Sequence, residues 1–329
     1  MDHFSSRNAT GTENHRAHTA TATDTCLILQ YHRVASLCHD PLQLAVQPHN
    51  FEKQIEYLAD SFNTISMDQM KSHLRTAAPF ADRTVAVTFD GGYTDVLYTA
   101  KEVLEKCGVF ATVFTPSAKI IEAGQFWPGE LEDLLIAGNP RGQLEIEVNG
   151  QCYAWSLDSR RDVFHTFDIL CSVLQNTTPS VQKRIINQIR LCVCSSADEL
   201  DVHRTMDAQE LKMLADGGLI TIGGHTHNYV RLSALPKWQQ VEELAKNKSI
   251  LEEALGHPVE YFSYPFGGEE EYGMETAATL EKIGFTLACA GSYGTVSAAG
   301  AANRYELPRV KVGNWNPFTF YKFLEGFFT

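Results

Sequence analysis

The sequence lacks any apolar run long enough to cross a membrane, and it is poor in basic residues. A transmembrane helix needs about 20 consecutive apolar residues, and no run among the 329 residues approaches that length. Lys and Arg number 27 against 40 Asp and Glu, so the formal net charge is −13. A chain with this balance repels phosphate backbones and anionic lipid. We therefore expect neither a nucleic-acid partner nor insertion into a membrane.

The sequence also lacks the C-x-x-C spacing of zinc and redox sites, and its first 25 residues are not typical of a signal peptide. Its eight cysteines are scattered, and several lie in apolar runs, as reduced thiols of a protein core do. Residues 1–25 are polar and contain no apolar segment of the signal-peptide kind. We predict a disordered tail over residues 1–25 and a cytoplasmic protein.

Apolar runs alternate with helical patterns in the first third of the chain. Residues 26–31 and 84–89 are typical of buried strands. Residues 99–106 form an amphipathic pattern that Gly108 closes, and a further strand pattern covers residues 110–114. A strand, a helix and a strand in this order indicate neighbouring parallel strands with a right-handed crossover. The fold class is therefore predicted to be α/β.

The alternation stops at about residue 118 and returns after residue 204. Between these points, residues 144–148, Asn149-Gly150 and residues 152–155 predict a β-hairpin. Two helical patterns follow the hairpin. We predict one barrel domain over residues 26–329, with an inserted hairpin and helical segment at about 118–204, rather than two independent domains.

Polar residues stand where several predicted strands end. His32, Asp90, His225 and Pro265 all occupy such positions. Catalytic groups of parallel barrels lie at the carboxyl ends of the strands, so these residues could share one rim. A single polar residue at a strand end is more often a turn former, so the positions alone do not establish a catalytic site.

Several motifs together resemble those of the NodB-type polysaccharide deacetylases, the carbohydrate esterase family four. The run Thr88-Phe89-Asp90-Gly91-Gly92-Tyr93 is similar to the family motif T-F-D-D-G-Y, and residues 222–229 are similar to H-[ST]-x-x-H. Tyr31-His32-Arg33-Val34 resembles the opening of the branch in which the motif order is circularly shifted. Further similar segments are Phe126-Trp127, residues 262–267 and Leu307-Pro308-Arg309-Val310. The resemblance implies a distorted (β/α) barrel, usually seven-stranded.

The resemblance also implies roles for individual residues. Asp90 matches the catalytic base, and His32 matches the acid that protonates the leaving amine. Tyr93 and Tyr264 would line the substrate groove, although both could equally be packing residues. Arg309 would pair with a carboxylate near the site, since a guanidinium fits a carboxylate well, although a salt bridge of no catalytic importance is as good an interpretation.

The metal-binding positions depart from the family pattern. The family holds a divalent metal with an Asp and two His, but Gly91 and Tyr229 stand at two of these positions and only His225 remains. A catalytic metal site needs about three protein ligands. His227 could complete a set with His225 and Asp90 if the segment is extended, because residues two apart then share a face. The expected cofactor is none or a weakly bound divalent metal such as zinc.

These observations support three hypotheses of function. The first is a hydrolase that removes an N-acyl group from an amino sugar or glycan intermediate, with a remodelled or absent metal site. The second is a metal-independent amide hydrolase on another small C–N substrate, in which Tyr229 contacts the substrate and donates a hydrogen bond to the developing oxyanion. The third is a catalytically inactive protein that binds glycan. In either enzyme, Asp90→Asn is expected to remove turnover and leave the fold intact.

Overall fold

A computed structural model describes residues 22–23, 25–122, 124–148, 150–193, 201–268, 274–299 and 304–328. The strands are β1 (Ala22–Thr23), β2 (Thr25–Tyr31), β3 (Arg33–Val34), β4 (Ala45–Val46), β5 (Asn63–Thr64), β6 (Phe80–Ala81), β7 (Thr84–Asp90), β8 (Ala111–Thr115), β9 (Gln143–Val148), β10 (Gln151–Ser156), β11 (Ile220–Gly224), β12 (Tyr261–Ser263), β13 (Leu287–Cys289), β14 (Val296–Ser297) and β15 (Val310–Lys311). The α-helices are α1 (Pro48–Ser61), α2 (Met67–Thr76), α3 (Lys101–Cys107), α4 (Lys119–Glu122), α5 (Trp127–Leu131), α6 (Arg160–Gln175), α7 (Pro179–Val193), α8 (Ala208–Ala215), α9 (Lys237–Leu255), α10 (Met274–Ile283) and α11 (Pro317–Glu325).

Parallel strands form the centre of the fold. Strands β2, β7, β8, β11, β12 and β13 are neighbours in this order, and every pair is parallel. The segment 307–311 closes the ring, because Leu307 bridges Cys289 of β13 and β15 pairs with β2. All seven residues of β7 are buried, as expected of a parallel strand that is covered on both faces. The predicted seven-stranded, distorted (β/α) barrel is confirmed.

Helix α3 connects β7 to β8 and ends where the sequence predicts. Gly108 follows it with φ +66°, and its N–H donates to the carbonyls of Leu104 and Glu105. Glycine adopts this left-handed conformation without the penalty that a Cβ would add. A π-helical turn, Val96–Ala100, precedes the helix, so the helical segment starts earlier than the predicted residue 99.

The predicted insertion has a core of its own. A separate cluster of buried apolar residues joins helices α5, α6 and α7 to the inner face of β9, with Leu135, Leu144, Phe167 and Ile189 among its members. Strands β9 and β10 pair in the register of a two-residue turn, Val148 opposite Gln151; Asn149 of the predicted turn lies outside the described residues. The insertion also supplies side chains to the barrel rim.

The amino-terminal boundary differs from the prediction. Ala22 and Thr23 pair antiparallel with Ala81 and Phe80, so the predicted tail over residues 1–25 extends too far into the chain. Two paired residues give no periodic apolar signal, which is why the sequence does not reveal this strand. Among the described residues, no helix is long and apolar enough to cross a membrane.

Candidate active site at the barrel rim

The carboxyl ends of the barrel strands surround a cavity of about 390 Å³. It is lined by His32 after β2, Asp90 at the end of β7, His225 after β11, and Tyr229 in the following loop. Gln30, Leu42, Trp127, Gln175, Phe266 and Lys311 also line it. The structure thus brings Asp90, His32 and His225 to one cavity, where parallel-barrel geometry places reactive groups.

Asp90 is a buried carboxylate held by several donors. Arg309 donates from Nη1 to Oδ1 at 2.8 Å and from Nη2 to Oδ2 at 2.7 Å. Gln30 Nε2 and Ser263 Oγ donate to Oδ2 at 2.7 and 3.3 Å. Burial raises the pKa of Asp90, but the Arg309 guanidinium and then His225 outweigh it and hold the pKa well below its usual range. Oδ1 carries one of these bonds against three on Oδ2, so Oδ1 retains acceptor capacity.

Arg309 is itself fully engaged inside the barrel. Besides Asp90, its guanidinium donates to Ala290 O at 2.9 Å and to Ser263 Oγ at 2.7 Å, and only 1% of the residue is exposed. Arg309 therefore pairs with the Asp90 carboxylate. This agrees with the sequence interpretation in which Arg309 binds a carboxylate near the site. Since its donors point at protein groups, Arg309 positions Asp90 rather than contacting a ligand in the cavity.

His32 is a half-buried imidazole on the cavity wall. Burial lowers its pKa to about 3; the Asp90 carboxylate acts against this, and the charges of Lys311, Arg309 and His225 add to it. The ring is therefore neutral at neutral pH. A neutral imidazole has a nitrogen that can accept a proton.

His225 and Tyr229 also line this cavity. His225 is 1% exposed, and its Nδ1 lies 2.8 Å from Ser263 O. A carbonyl only accepts, so Nδ1 carries the proton and Nε2 is the acceptor. The Tyr229 ring lies 5.4 Å from the rings of both His225 and Phe266. Burial raises the pKa of Tyr229 well above its usual value, so the phenol keeps its proton and can donate it in a hydrogen bond.

The described side chains do not fit a metal with three protein ligands. His227 Nδ1 lies 2.9 Å from Ser117 Oγ, and His227 lines a separate groove instead of the cavity at the strand ends. Asp90 is occupied by Arg309. Within the described ranges, no group of three or more His, Cys, Asp or Glu side chains is arranged to hold a metal ion. The set of His225, His227 and Asp90 is not assembled.

The position of Gly91 is filled by a neighbouring ring. Gly91 has φ +101°, and a Cβ added to it would lie 2.5 Å from Cε2 of Tyr93. The Tyr93 ring is held by Arg33, whose guanidinium carbon lies 4.6 Å from the ring centroid and whose Nε pairs with Asp95 at 2.9 Å. An aspartate at residue 91 would need both a strained backbone and a displaced Tyr93.

A comparison of two glycine variants tests this packing. Gly108→Ala has open space and should lose about 1–2 kcal/mol of unfolding free energy, the cost of a left-handed alanine. Gly91→Ala should lose about 1–3 kcal/mol more, because extra atoms are forced into a packed site. Urea unfolding of both variants measures the difference. Equal losses would show that Tyr93 moves aside easily and that the site can take a larger residue.

Sequence reasoning missed three residues of the site, and for two others it left open whether they line the groove or pack in the interior. Gln30 is two residues before His32 and Lys311 is two after Arg309, and residues two apart on a strand share a face; this signal was available. Ser263, at the end of β12, has no such local signal. Tyr93 and Tyr264 are buried packing residues, and neither lines the cavity.

Comparisons with known proteins agree with this architecture. The sequence model of the polysaccharide deacetylase family matches residues 158–288. The matched segment is 131 of the 329 residues, less than half of the chain. YxkH of Bacillus subtilis, named as a polysaccharide deacetylase, is 23% identical over 290 residues, which are 87% of this chain and 70% of YxkH. The match places the chain among hydrolases of carbon–nitrogen bonds other than peptide bonds.

Solved structures show the same fold. The deacetylase PplD of Streptococcus pyogenes, solved in complex with acetate, superposes with a TM-score of 0.60 at 17% identity, covering 92% of this chain and 98% of PplD. IcaB from Ammonifex degensii superposes with a TM-score of 0.59 at 18% identity, covering 94% of this chain and 100% of IcaB. At this identity the likeness extends to the fold of the NodB-type domain.

Buried histidines predict that acid destabilises the domain. Burial lowers the pKa of His32 to about 3 and of His203 and His227 to about 4. Histidines of the unfolded chain bind protons near pH 6.5, whereas these folded histidines bind them only at lower pH. Acid therefore favours the unfolded state, and stability falls as pH drops from about 7 toward 4. Burial raises the pKa of Glu132 to about 8 and that of Glu243 above its usual value, and both act in the opposite direction. They are two groups against four, because burial lowers the pKa of His225 as well. We expect a lower Tm at pH 5 than at pH 7.5; an equal Tm would show that these rings are solvated.

Proposed function

We propose that the chain is a hydrolase that removes an N-acyl group from an amino sugar or glycan intermediate, and that Asp90 and His32 act without a metal. The observation that carries the proposal is the shared cavity. One wall holds a carboxylate fixed by Arg309, Gln30 and Ser263, and His32 lines the same cavity. A fixed carboxylate beside a neutral imidazole is an acid–base pair suited to amide hydrolysis.

The charge states assign the proton transfers differently from the roles that the resemblance implies. Neutral His32 accepts one proton from the attacking water while the water oxygen bonds to the acyl carbon. The imidazolium that forms is stabilised by the Asp90 carboxylate. When the C–N bond breaks, His32 returns the proton to the amine nitrogen. The first products are the carboxylic acid of the acyl group and the free amino sugar, and His32 ends neutral. The carboxylic acid then loses its remaining proton to solvent.

The oxyanion of the tetrahedral intermediate needs donors. The Tyr229 phenol keeps its proton and lines the cavity. Lys311 lines the cavity as well, and its Nζ has a long contact of 3.3 Å to Leu42 O, which leaves other ammonium protons for a ligand. A phenol and an ammonium can together stabilise a developing negative charge.

Tyr229→Phe is expected to reduce kcat by roughly 10²-fold, the scale seen when one such donor is removed.

A substrate panel tests the proposal. Purified protein of known metal content is incubated with N-acetylated monosaccharides, N-acetylated oligosaccharides and cyclic amides, and released acetate or free amine is measured. Hydrolysis of an N-acetyl sugar supports the proposal. Turnover of cyclic amides alone would favour an amidase on another C–N substrate. Binding of oligosaccharide with no turnover of any substrate would favour an inactive glycan-binding protein.

The pH profile tests the role of His32. Because the ring must be neutral to accept the water's proton, and burial lowers its pKa to about 3, kcat/KM should stay level from about pH 8 to pH 5. Activity should fall only toward the pKa of His32. A rate that rises steadily on acidification would instead mean that His32 must be protonated first, as the acid of the family mechanism is.

A further inference from the structure

A second and larger cavity lies beside the catalytic one. This groove, of about 570 Å³, runs between the barrel and the insertion. The barrel contributes the loop at Ser117, His227 and helix α9, and the insertion contributes Trp127 and helix α7. Trp127 also lines the catalytic cavity, so the two cavities are adjacent. A ligand large enough to extend from one cavity would reach the other.

Unpaired cations line the groove in a chain that is acidic overall. Lys119, Lys183 and Lys246 all line it, and none has a carboxylate within 4.0 Å among the residues that the structure describes. Six other lysines have such partners, namely Lys53, Lys71, Lys101, Lys106, Lys237 and Lys248. Among the described residues, Lys212, Lys282, Lys311 and Lys322 also lack one, but they do not line this groove. Glu130, an acid of the lining, is paired with Arg190 at 3.1 Å. Although the charge of Lys246 also acts on the nearby Glu243 carboxyl, lysines without an ion pair within 4.0 Å add positive potential to this concave surface.

Polar groups of the groove can bind an oxygen-rich ligand. The pKa of His227 is lowered to about 4 by burial and by Lys246, so its ring is neutral and its second nitrogen is available beyond the contact with Ser117. Trp127 is 6% exposed, and its Nε1 has no hydrogen-bond partner among the described residues. A buried indole N–H left unpaired is unfavourable. An oxygen acceptor on a ligand would satisfy it at the junction of the two cavities.

We propose that this groove binds an anionic group of the substrate, a phosphate or a carboxylate attached to the N-acyl amino sugar. The cations hold the anion between the insertion and the barrel, and the N-acyl group extends past Trp127 toward Asp90 and His32. The identity of the ligand as a sugar rests on the proposed function, whereas the binding of an anion in the groove does not. Electrostatic recognition of this kind weakens as salt rises.

Calorimetric titration at low salt tests the groove directly. The ligands are pyrophosphate for the phosphate arm and a uronic acid disaccharide for the carboxylate arm. The groove variant is Lys119→Gln, Lys183→Gln and Lys246→Gln together. The control is Lys53→Gln, Lys106→Gln and Lys237→Gln, which changes the net charge equally at paired surface lysines.

The wild type and the control should bind one of these ligands, and the groove variant should bind it at least about 10-fold more weakly, equivalent to about 1.4 kcal/mol. The arm that binds identifies the anion. Equal affinity of the groove variant and the control for both ligands, or no binding by the wild type, would overturn the anion site.

A kinetic comparison separates this proposal from the proposed function. The ratio of kcat/KM for an N-acetylhexosamine 1-phosphate to that for the neutral sugar should exceed one in the wild type and the control, and should fall in the groove variant. If neither sugar is hydrolysed but the groove variant loses anion binding, the anion site is supported and the proposed hydrolase activity is contradicted. If the neutral sugar is hydrolysed and the groove variant binds anions as tightly as the control, the hydrolase activity is supported and the anion site is contradicted.

Discussion

Arg309→Met should lose about 3–5 kcal/mol of unfolding free energy, because it leaves the Asp90 carboxylate buried without its cation. Both residues are almost fully buried, at 1% and 2% exposure. Urea unfolding at pH 7 measures the loss. Arg304→Met is a matched control, since Arg304 pairs with Glu281 at the surface and should contribute at most about 1 kcal/mol. Similar losses in the two variants would contradict the buried ion pair.

The same pair changes what is expected of Asp90→Asn. An amide at residue 90 leaves the Arg309 guanidinium buried with its charge uncompensated, although the amide oxygen still accepts a hydrogen bond. Asp90→Asn should therefore lose stability as well as turnover, in contrast to the sequence-based expectation that it leaves the fold intact. Combining it with Arg309→Met should cost less than the sum of the single losses, since no unpaired charge remains. The activity of Asp90→Asn must therefore be divided by the fraction of the protein that is folded under the assay conditions.

His32→Gln should reduce kcat/KM by about 10² to 10⁴-fold, since it removes the group that both takes and returns the proton. Stability should change little, because His32 makes no hydrogen bond within the described part of the chain and lies at the cavity wall. Substrates with better leaving groups should lose less. His257→Gln, at an exposed histidine in the loop before the amino end of β12, serves as the control and should keep its activity. Full activity in His32→Gln would remove His32 from the mechanism.

The barrel could be predicted because its signals are local. The apolar runs of β2 and β7 predict buried strands, and the glycine after α3 predicts the end of that helix. Strand ends then place His32, Asp90 and His225 on one rim without any knowledge of side-chain contacts. The Asn-Gly turn marked the hairpin of the insertion for the same reason.

The remainder of the site depends on contacts between distant segments. Nothing near Gly91 indicates that Tyr93 fills its side-chain space, because Tyr93 is held there by Arg33 from another strand. The spacing of His225 and His227 is compatible with a shared face, but the chain leaves the strand at Gly224 and carries His227 to the groove. The insertion has its own core, so its placement beside the rim has no local sequence signal.

Hydrolysis of an N-acetyl sugar by metal-depleted protein tests the central claim most directly. Released acetate is measured before and after chelation, with bound zinc, cobalt and nickel quantified in the same samples and His32→Gln run in parallel. We predict a rate per mole of protein that is independent of metal content and that is lower by at least about 10²-fold in His32→Gln. A rate that disappears on chelation and returns in proportion to added zinc would contradict the claim and restore a metal to the mechanism.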